Sequence, residues 1–162
     1  MIEIIASSLS DTHQTAESVA EIVKSGDLIL LVGDLGAGKT AFTQGFGASL
    51  GVKEAITSPT FTLARTYQGT LEIHHLDVYR IDQIEEVRDL ALPELFEGNS
   101  VTLIEWGDQI ISALPKDHLE ISFEYSEADS ARVITISANG SSWNSRMPDL
   151  IQKLEIKGLS KC

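Results

Sequence analysis

The chain has 162 residues, 43% of them hydrophobic and 22% charged, which predicts one globular domain with a buried core and excludes a disordered or collagen-like chain. Its formal net charge of −12 argues against unaided binding of nucleic acid, because that binding depends on Lys and Arg side chains that neutralise phosphates. The single cysteine, Cys162, excludes an intrachain disulfide, and the lack of an export leader or of about 18 consecutive apolar residues predicts a cytoplasmic chain that does not span a membrane.

The first predicted elements are a strand and a helix. The segment IEIIA near the start is short and rich in β-branched residues, which is typical of a strand. A helix is predicted to follow, capped by Ser10 or Asp11, running to about Lys24 and closed by Gly26.

A buried strand and a second helix come next. Leu28 to Val32 reads LILLV, a continuous apolar run that predicts a strand covered on both faces in a parallel sheet. The small and apolar residues from Lys39 to about Leu50 favour a helix, with Gly51 as its stop.

The middle of the chain predicts a hairpin and another central strand. Phe61 to Tyr67 and Leu71 to Leu76 flank Gly69, whose special backbone angles are expected to form the turn. An acidic helical segment is predicted to extend to about Phe96, and Val101 to Ile104 is again fully apolar, as in a central strand.

The last third predicts two half-buried strands and a closing helix. Leu119 to Tyr125 and Arg132 to Ala138 alternate in polarity, and Trp143 to Leu154 favours a helix. We interpret residues 1–162 as a single α/β domain with a central mixed β-sheet flanked by helices and a loose tail after about residue 155.

A phosphate-binding loop lies between the LILLV strand and the helix that follows. It matches the pattern G-x-x-x-x-G-K-[ST], in which backbone N–H groups surround phosphates. Lys39 is expected to reach the β- and γ-phosphates, and the Thr40 hydroxyl is placed to bind Mg²⁺. The loop therefore predicts binding of ATP with Mg²⁺ through Gly33, Asp34, Leu35, Gly36, Ala37, Gly38, Lys39 and Thr40.

Phosphoryl transfer also needs a carboxylate near the metal and a group that orients the attacking water. Glu105 follows the run VTLI, and Asp77 ends LEIHHL, so both could lie at the loop edge of the sheet. Either carboxylate could instead cap a helix or pair with a surface base.

Two further catalytic candidates are Thr60 and Arg80. Thr60, in a segment about 20 residues after the loop where a γ-phosphate sensor often lies, offers a hydroxyl to metal or water, or simply belongs to a turn before a strand. Arg80 could stabilise charge on the phosphates or form an ion pair with Asp77. His74 and His75 point to opposite faces of a strand, so we expect ordinary polar contacts rather than a shared metal, and Trp106 is expected in the core.

With these motifs in place, the chain resembles the TsaE family, formerly called YjeE. The resemblance rests on four motifs in order: GDLGAGKT at 33–40, SPTF at 58–61, H-x-D-x-YR at 75–80 and a hydrophobic run that ends in EW at 103–106. It implies a P-loop NTPase-like domain that hydrolyses ATP and associates with the TsaD and TsaB proteins, which modify tRNA to threonylcarbamoyladenosine. Contact with tRNA would then be only indirect, through that complex.

The resemblance also implies roles for particular residues. Thr40 and Glu105 look like the Mg²⁺ ligands, and Asp77 looks like the residue that assists hydrolysis. More loosely, the family's helix start near the base is matched by a segment that includes Thr12, and Arg132 resembles a basic position that touches the nucleotide.

Two alternatives stay open from the sequence. A P-loop kinase for a small metabolite fits the loop equally well, although it predicts an arginine-rich lid and the chain has few arginines. A non-hydrolysing switch, in which bound nucleotide only orders the SPTF segment, cannot be separated from a slow ATPase by sequence.

Overall fold

The protein is described by a computed structural model that covers residues 1–59, 64–79, 92–127 and 130–159. In this part of the chain, seven strands form one sheet. Their bounds are β1 Ile2–Ala6, β2 Leu28–Gly33, β3 Ala64–Gln68, β4 Glu72–Asp77, β5 Ser100–Glu105, β6 His118–Tyr125 and β7 Arg132–Asn139.

The strand order is β1-β7-β6-β2-β5-β4-β3, and the sheet is mixed. The four central strands β6, β2, β5 and β4 are parallel. At one side β7 pairs antiparallel with β6 and β1 pairs antiparallel with β7, and at the other side β3 pairs antiparallel with β4. The predicted α/β architecture with a central mixed sheet is therefore confirmed. Because β2, β4 and β5 are parallel, their carboxyl ends meet at one edge of the sheet, where the loop after β2 also lies.

Helices flank both faces of this sheet. The described helices are α1 Leu9–Ala20, α2 Lys39–Ser49, the single turn α3 Leu92–Leu95, a 3₁₀ helix Gly107–Ala113 and α4 Ser141–Ile156. The larger buried cluster lies between α1, α2, α4 and one face, and a smaller cluster around Leu30 and Ile104 fills the other face beneath the 3₁₀ helix. No helix in the described ranges has the length and apolar character needed to cross a membrane.

The bounds of α1 differ from the prediction at both ends. Ser8 is the N-cap rather than Ser10 or Asp11: its hydroxyl accepts from the Asp11 N–H, and the Asp11 carboxylate accepts from the Ser8 N–H. This reciprocal capping box satisfies two N–H groups that the helix itself leaves unpaired. The helix also ends at Ala20, before Lys24, because the Lys24 N–H donates to the carboxylate of Asp27 in the turn that leads to β2.

The predicted hairpin is present as β3 and β4, but the reason given for its glycine was wrong. Gly69 does not have a left-handed backbone conformation. Instead, a Cβ atom at this position would lie 2.5 Å from the carbonyl oxygen of Leu50, to which the neighbouring Thr70 N–H donates. Glycine is needed here for close approach of two backbone segments.

The end of the chain is packed further than the sequence predicted. The helix α4 continues through Ile156, beyond the predicted end at Leu154, and Leu159 is buried against the larger cluster. The last three residues of the predicted loose tail, 160–162, lie outside the described residues. The segments 61–63 and 80–91, which carry the start of the predicted hairpin strand and most of the predicted acidic helix, lie outside the described residues.

A buried ion pair holds α4 to the start of β2. The guanidinium of Arg146 donates to both carboxylate oxygens of Asp27, at 2.6 and 2.9 Å, and to the Ile22 carbonyl at 3.0 Å. Its guanidinium carbon lies 4.0 Å from the ring centre of Trp143. This contact anchors the strand that leads into the phosphate loop.

Candidate functional site

The loop between β2 and α2 is shaped to surround an anion. A Cβ atom at Gly33 would lie 2.6 Å from the carbonyl oxygen of Phe123, so only glycine fits where β2 turns into the loop. Gly38 is the N-cap residue of α2, and its φ of 122° is a conformation that other residues rarely adopt. As a glycine it has no side chain that could accept from the first N–H groups of the helix. The first N–H groups of α2 can therefore donate to a ligand, as in other phosphate sites at helix starts.

The Lys39 side chain is folded back over this loop. Its Nζ donates to the carbonyl oxygens of Gly33 and Asp34, the latter at 2.8 Å, and lies 4.4 Å from the ring centre of Trp106. Burial lowers the pKa of the Lys39 ammonium from its ordinary value, and the charges of Glu105 and Asp77 oppose that change. The cation is thus positioned at the loop with acidic groups close by.

Thr40 and Glu105 are brought together from distant parts of the chain. The Thr40 hydroxyl donates to Oε1 of Glu105 at 3.2 Å, and Glu105 is buried at the end of β5. Among the described residues, the side chains that contact the Glu105 carboxylate are those of Thr40 and His75, and neither is a surface base. Two adjacent oxygen groups of this kind could hold Mg²⁺, which usually takes one or two protein ligands together with phosphates.

Asp77 lies beside Glu105, because the register of β4 and β5 pairs the two residues. Its Oδ1 accepts from the backbone N–H of Tyr79 at 2.9 Å. Burial raises the pKa of the Asp77 carboxyl, and the negative charge of Glu105 acts in the same direction. Asp77 therefore stabilises the turn after β4 and also lies at the edge of the sheet where the phosphate loop lies.

These residues line one cavity of about 370 Å³. It joins the loop, the ends of β4 and β5, and Ser58. In the described part of the chain no group of three or more His, Cys, Asp or Glu side chains is placed to hold a metal. The lining residues are Leu35, Gly36, Gly38, Lys39, Thr40, Ala41, Ser58, Asp77, Glu105 and Trp106.

Trp106 was expected in the core, and it does pack against the smaller buried cluster, but it also lies at the site. Its side chain is only partly buried and forms a wall of the cavity. Its backbone is left-handed, with φ 62° and ψ 27°, which is costly for a residue other than glycine. The indole lies between Lys39 and the ring of Tyr79, whose centre is 4.7 Å away, and these contacts hold the conformation.

A second cavity, of about 250 Å³, lies on the other side of the loop. Thr12 from α1 and Arg132 from β7 both line it, together with Gly36 and Gly38. The Arg132 guanidinium lies 4.2 Å from the ring centre of Tyr125. Thr12 and Arg132, which only the family resemblance had assigned to the nucleotide, therefore line one cavity next to the phosphate loop.

His75 makes a polar contact, as the sequence predicted, and this contact is with the site residue Glu105. The imidazole is fully buried, and its Nε2 lies 3.0 Å from Oε1 of Glu105. Its position two residues before Asp77 places both side chains on one face of β4, but the contact with Glu105 also requires β5 as the neighbouring strand. Thr60 and Arg80, the other two predicted catalytic residues, lie outside the described residues.

Comparison with known proteins gives a consistent result. The chain matches the family described as Threonylcarbamoyl adenosine biosynthesis protein TsaE over residues 6–134. It is 43% identical over 131 residues to the tRNA threonylcarbamoyladenosine biosynthesis protein TsaE of Bacillus subtilis, which covers 80% of this chain and 81% of that protein. The protein of the same name from Treponema pallidum is 39% identical over 133 residues, with 82% of this chain and 98% of the relative covered.

A solved structure has the same fold. The crystal structure of YdiB from Bacillus subtilis superposes with a TM-score of 0.81 at 34% sequence identity, covering 94% of this chain and 97% of that one. The similarity therefore extends over nearly the whole chain.

Proposed function

The chain belongs to the TsaE family, and we propose that it is a Mg²⁺-dependent ATP hydrolase required for formation of threonylcarbamoyladenosine in tRNA, acting with a TsaD–TsaB complex. The observation that carries the proposal is the convergence of Lys39, Thr40, Asp77 and Glu105 on one cavity at the phosphate loop. The names of the relatives support the pathway.

The loop supports the binding of the triphosphate. Phosphate oxygens are strong acceptors, and the uncapped N–H groups at the start of α2 together with the Lys39 ammonium are donors in one place. The close approach at Gly33 and the positive φ at Gly38 let the backbone curve around such a group. In this arrangement Lys39 neutralises the charge of the β- and γ-phosphates.

The oxygen groups of Thr40 and Glu105 fit a magnesium ion. They are adjacent, they come from the loop and from the neighbouring strand β5, and they face the cavity. When bound, Mg²⁺ would neutralise charge on the phosphates during transfer. Thr40 and Glu105 would hold the ion at the carboxyl edge of the sheet, where Lys39 and the loop hold the phosphates.

Asp77 is the proposed acceptor for the attacking water. It lies in the same cavity, and a carboxylate can accept a hydrogen bond from water and so orient its oxygen toward the γ-phosphorus. In this proposal Thr60 and Arg80 assist at the γ-phosphate, as sensor and as charge stabiliser. Thr12 and Arg132 contact the nucleoside part in the second cavity.

The charge of the protein favours an indirect contact with tRNA. With 12 basic and 24 acidic residues, the chain is a poor competitor for a polyanion, and a more basic protein partner is the better match. The proposal therefore assigns tRNA binding to the TsaD–TsaB complex. A cytoplasmic location is part of the same proposal.

The testing experiment measures ATP hydrolysis by the purified chain with Mg²⁺, alone and with TsaD and TsaB. We expect partners to stimulate hydrolysis and Lys39→Ala to lower it by about 100-fold, whereas Lys53→Ala, at an exposed lysine outside the loop, should leave it unchanged. Nucleotide binding without any turnover in the presence of both partners would contradict the hydrolase and favour the switch. Phosphate transfer to a metabolite in place of water would favour the kinase.

A further inference from the structure

His75 is a buried imidazole next to the oxygen groups proposed for Mg²⁺. Its side chain is 0% exposed. It lies opposite Leu103 of β5 in the parallel register, and this alignment brings the imidazole to Glu105, two residues further along β5. His75 and Asp77 share one face of β4 because side chains alternate along a strand.

The hydrogen bonds at Glu105 define the orientation of its carboxyl group. His75 Nε2 lies 3.0 Å and Thr40 Oγ1 3.2 Å from the same oxygen, Oε1. An imidazole N–H group at Nε2 can donate to a carboxylate oxygen, and the contact with Glu105 fits this tautomer. These two contacts on Oε1 restrain the orientation of the Glu105 carboxyl group.

Packing does not explain a histidine at this position. Within the described ranges, Nδ1 of His75 is buried and has no hydrogen-bond partner, and a buried unsatisfied nitrogen is destabilising. The neighbours Ile73 and Leu76 of the same strand are fully buried aliphatic residues, so an aliphatic side chain could also occupy the core here. What the imidazole adds is the N–H group that faces Glu105.

We propose that His75 is a positioning residue that holds Glu105 in the conformation required to bind the Mg²⁺ of Mg-ATP. The inference rests on the proposed function, since it needs a cation at Thr40 and Glu105. Groups that hydrogen-bond to metal ligands orient them, and their loss typically weakens metal binding about 10-fold or more. His75 acts on the cation through Glu105 and does not itself touch the nucleotide.

The test compares two substitutions at His75. His75→Gln keeps an N–H donor, whereas His75→Leu fills the space without one. The control is His74→Leu, because His74 lies on the opposite face of the same strand and contacts Glu72 and Thr66. Each variant is titrated with Mn²⁺ in the presence of ADP and followed by electron paramagnetic resonance, and ADP binding in EDTA is measured by calorimetry.

We expect His75→Leu to weaken Mn²⁺ binding about 10-fold while ADP binding in EDTA and the thermal midpoint stay close to wild type. His75→Gln should restore most of the Mn²⁺ affinity, and His74→Leu should have no effect. Wild-type Mn²⁺ affinity in a folded His75→Leu protein would overturn the proposal. An equal loss of Mn²⁺ affinity in His75→Gln would also overturn the proposal. A loss of ADP binding in EDTA by His75→Leu would do the same, since either result would indicate that His75 acts through packing.

The wild-type protein separates this inference from the function on which it rests. If it binds ADP but no Mn²⁺ under the same conditions, the proposed cation site at Thr40 and Glu105 is itself wrong. If the wild-type protein binds Mn²⁺ and the His75 variants do not show the expected changes in Mn²⁺ affinity, only the proposed role of His75 is wrong and the proposed cation site is unaffected.

Discussion

Breaking the buried ion pair between Arg146 and Asp27 should strongly destabilise the protein. Their side chains are 7% and 9% exposed, and the two charges are joined by a bidentate contact. In Arg146→Met the Asp27 carboxylate is left buried without its partner, which typically costs about 3–5 kcal/mol. For a chain of this length about 1 kcal/mol shifts the thermal midpoint by about 2–4 °C, so we expect a decrease of about 6–20 °C.

The assay is urea and thermal unfolding followed by circular dichroism at neutral pH. A matched control is Lys153→Met on the same helix, because Lys153 forms a partly exposed pair with Glu21 and such pairs contribute about 1 kcal/mol or less. The double variant Asp27→Leu with Arg146→Met should recover much of the loss, since apolar replacement of a whole buried pair is often neutral.

Two results would refute this reasoning. A loss of less than about 1 kcal/mol in Arg146→Met would mean that Asp27 is solvated or neutral in the folded protein. A double variant less stable than either single variant would mean that packing around Trp143, and not the charge pair, decides the stability.

Two further predictions concern α1 and α2. Gly45→Ala should destabilise the protein by about 1–3 kcal/mol, because the added Cβ would lie 2.8 Å from Cα of His13 and push the two helices apart. Urea unfolding checks this against the control Ser49→Ala, an exposed position on the same helix. Equal unfolding midpoints for the two variants would contradict the prediction. Hydrogen bonds from two lysines near the end of α4 hold the pKa of Glu21 below its ordinary value. The ionised Glu21 therefore stabilises the folded protein at neutral pH, and this stabilisation is lost as the pH falls below about 4. The difference in stability between wild type and Glu21→Gln should therefore disappear in acid, and a difference that is constant with pH would exclude this account.

The parts of the site that are formed by residues adjacent in the sequence were predictable from the sequence. The phosphate loop is one such part, because its glycines, Lys39 and Thr40 are contiguous and lie between a strand pattern and a helix pattern. Glu105 and Asp77 were predicted as strand-end carboxylates for a similar reason, since Glu105 follows the apolar run VTLI and Asp77 follows the strand-like segment LEIHHL. Their roles with a bound nucleotide stay predictions.

The parts that depend on strand order were not predictable in the same way. His75 meets Glu105 only because β4 lies next to β5 in a particular parallel register, and spacing along one strand does not reveal its neighbour. Trp106 packs against the smaller cluster, as expected of an aromatic residue, but the sequence did not predict the left-handed turn after β5 or the position of Trp106 in the cavity wall. Gly69 was explained by turn angles, but close approach to Leu50 requires it.

The parallel arrangement of β2, β5 and β4 has a consequence for folding. Thr40 and Glu105 are separated by 65 residues and His75 and Glu105 by 30, so closing these long loops must precede assembly of the site. Pairings of this kind form slowly compared with local contacts. A partly folded chain therefore has the loop sequence but lacks its acidic partners, and a ligand that needs all of them stabilises the whole domain rather than one segment.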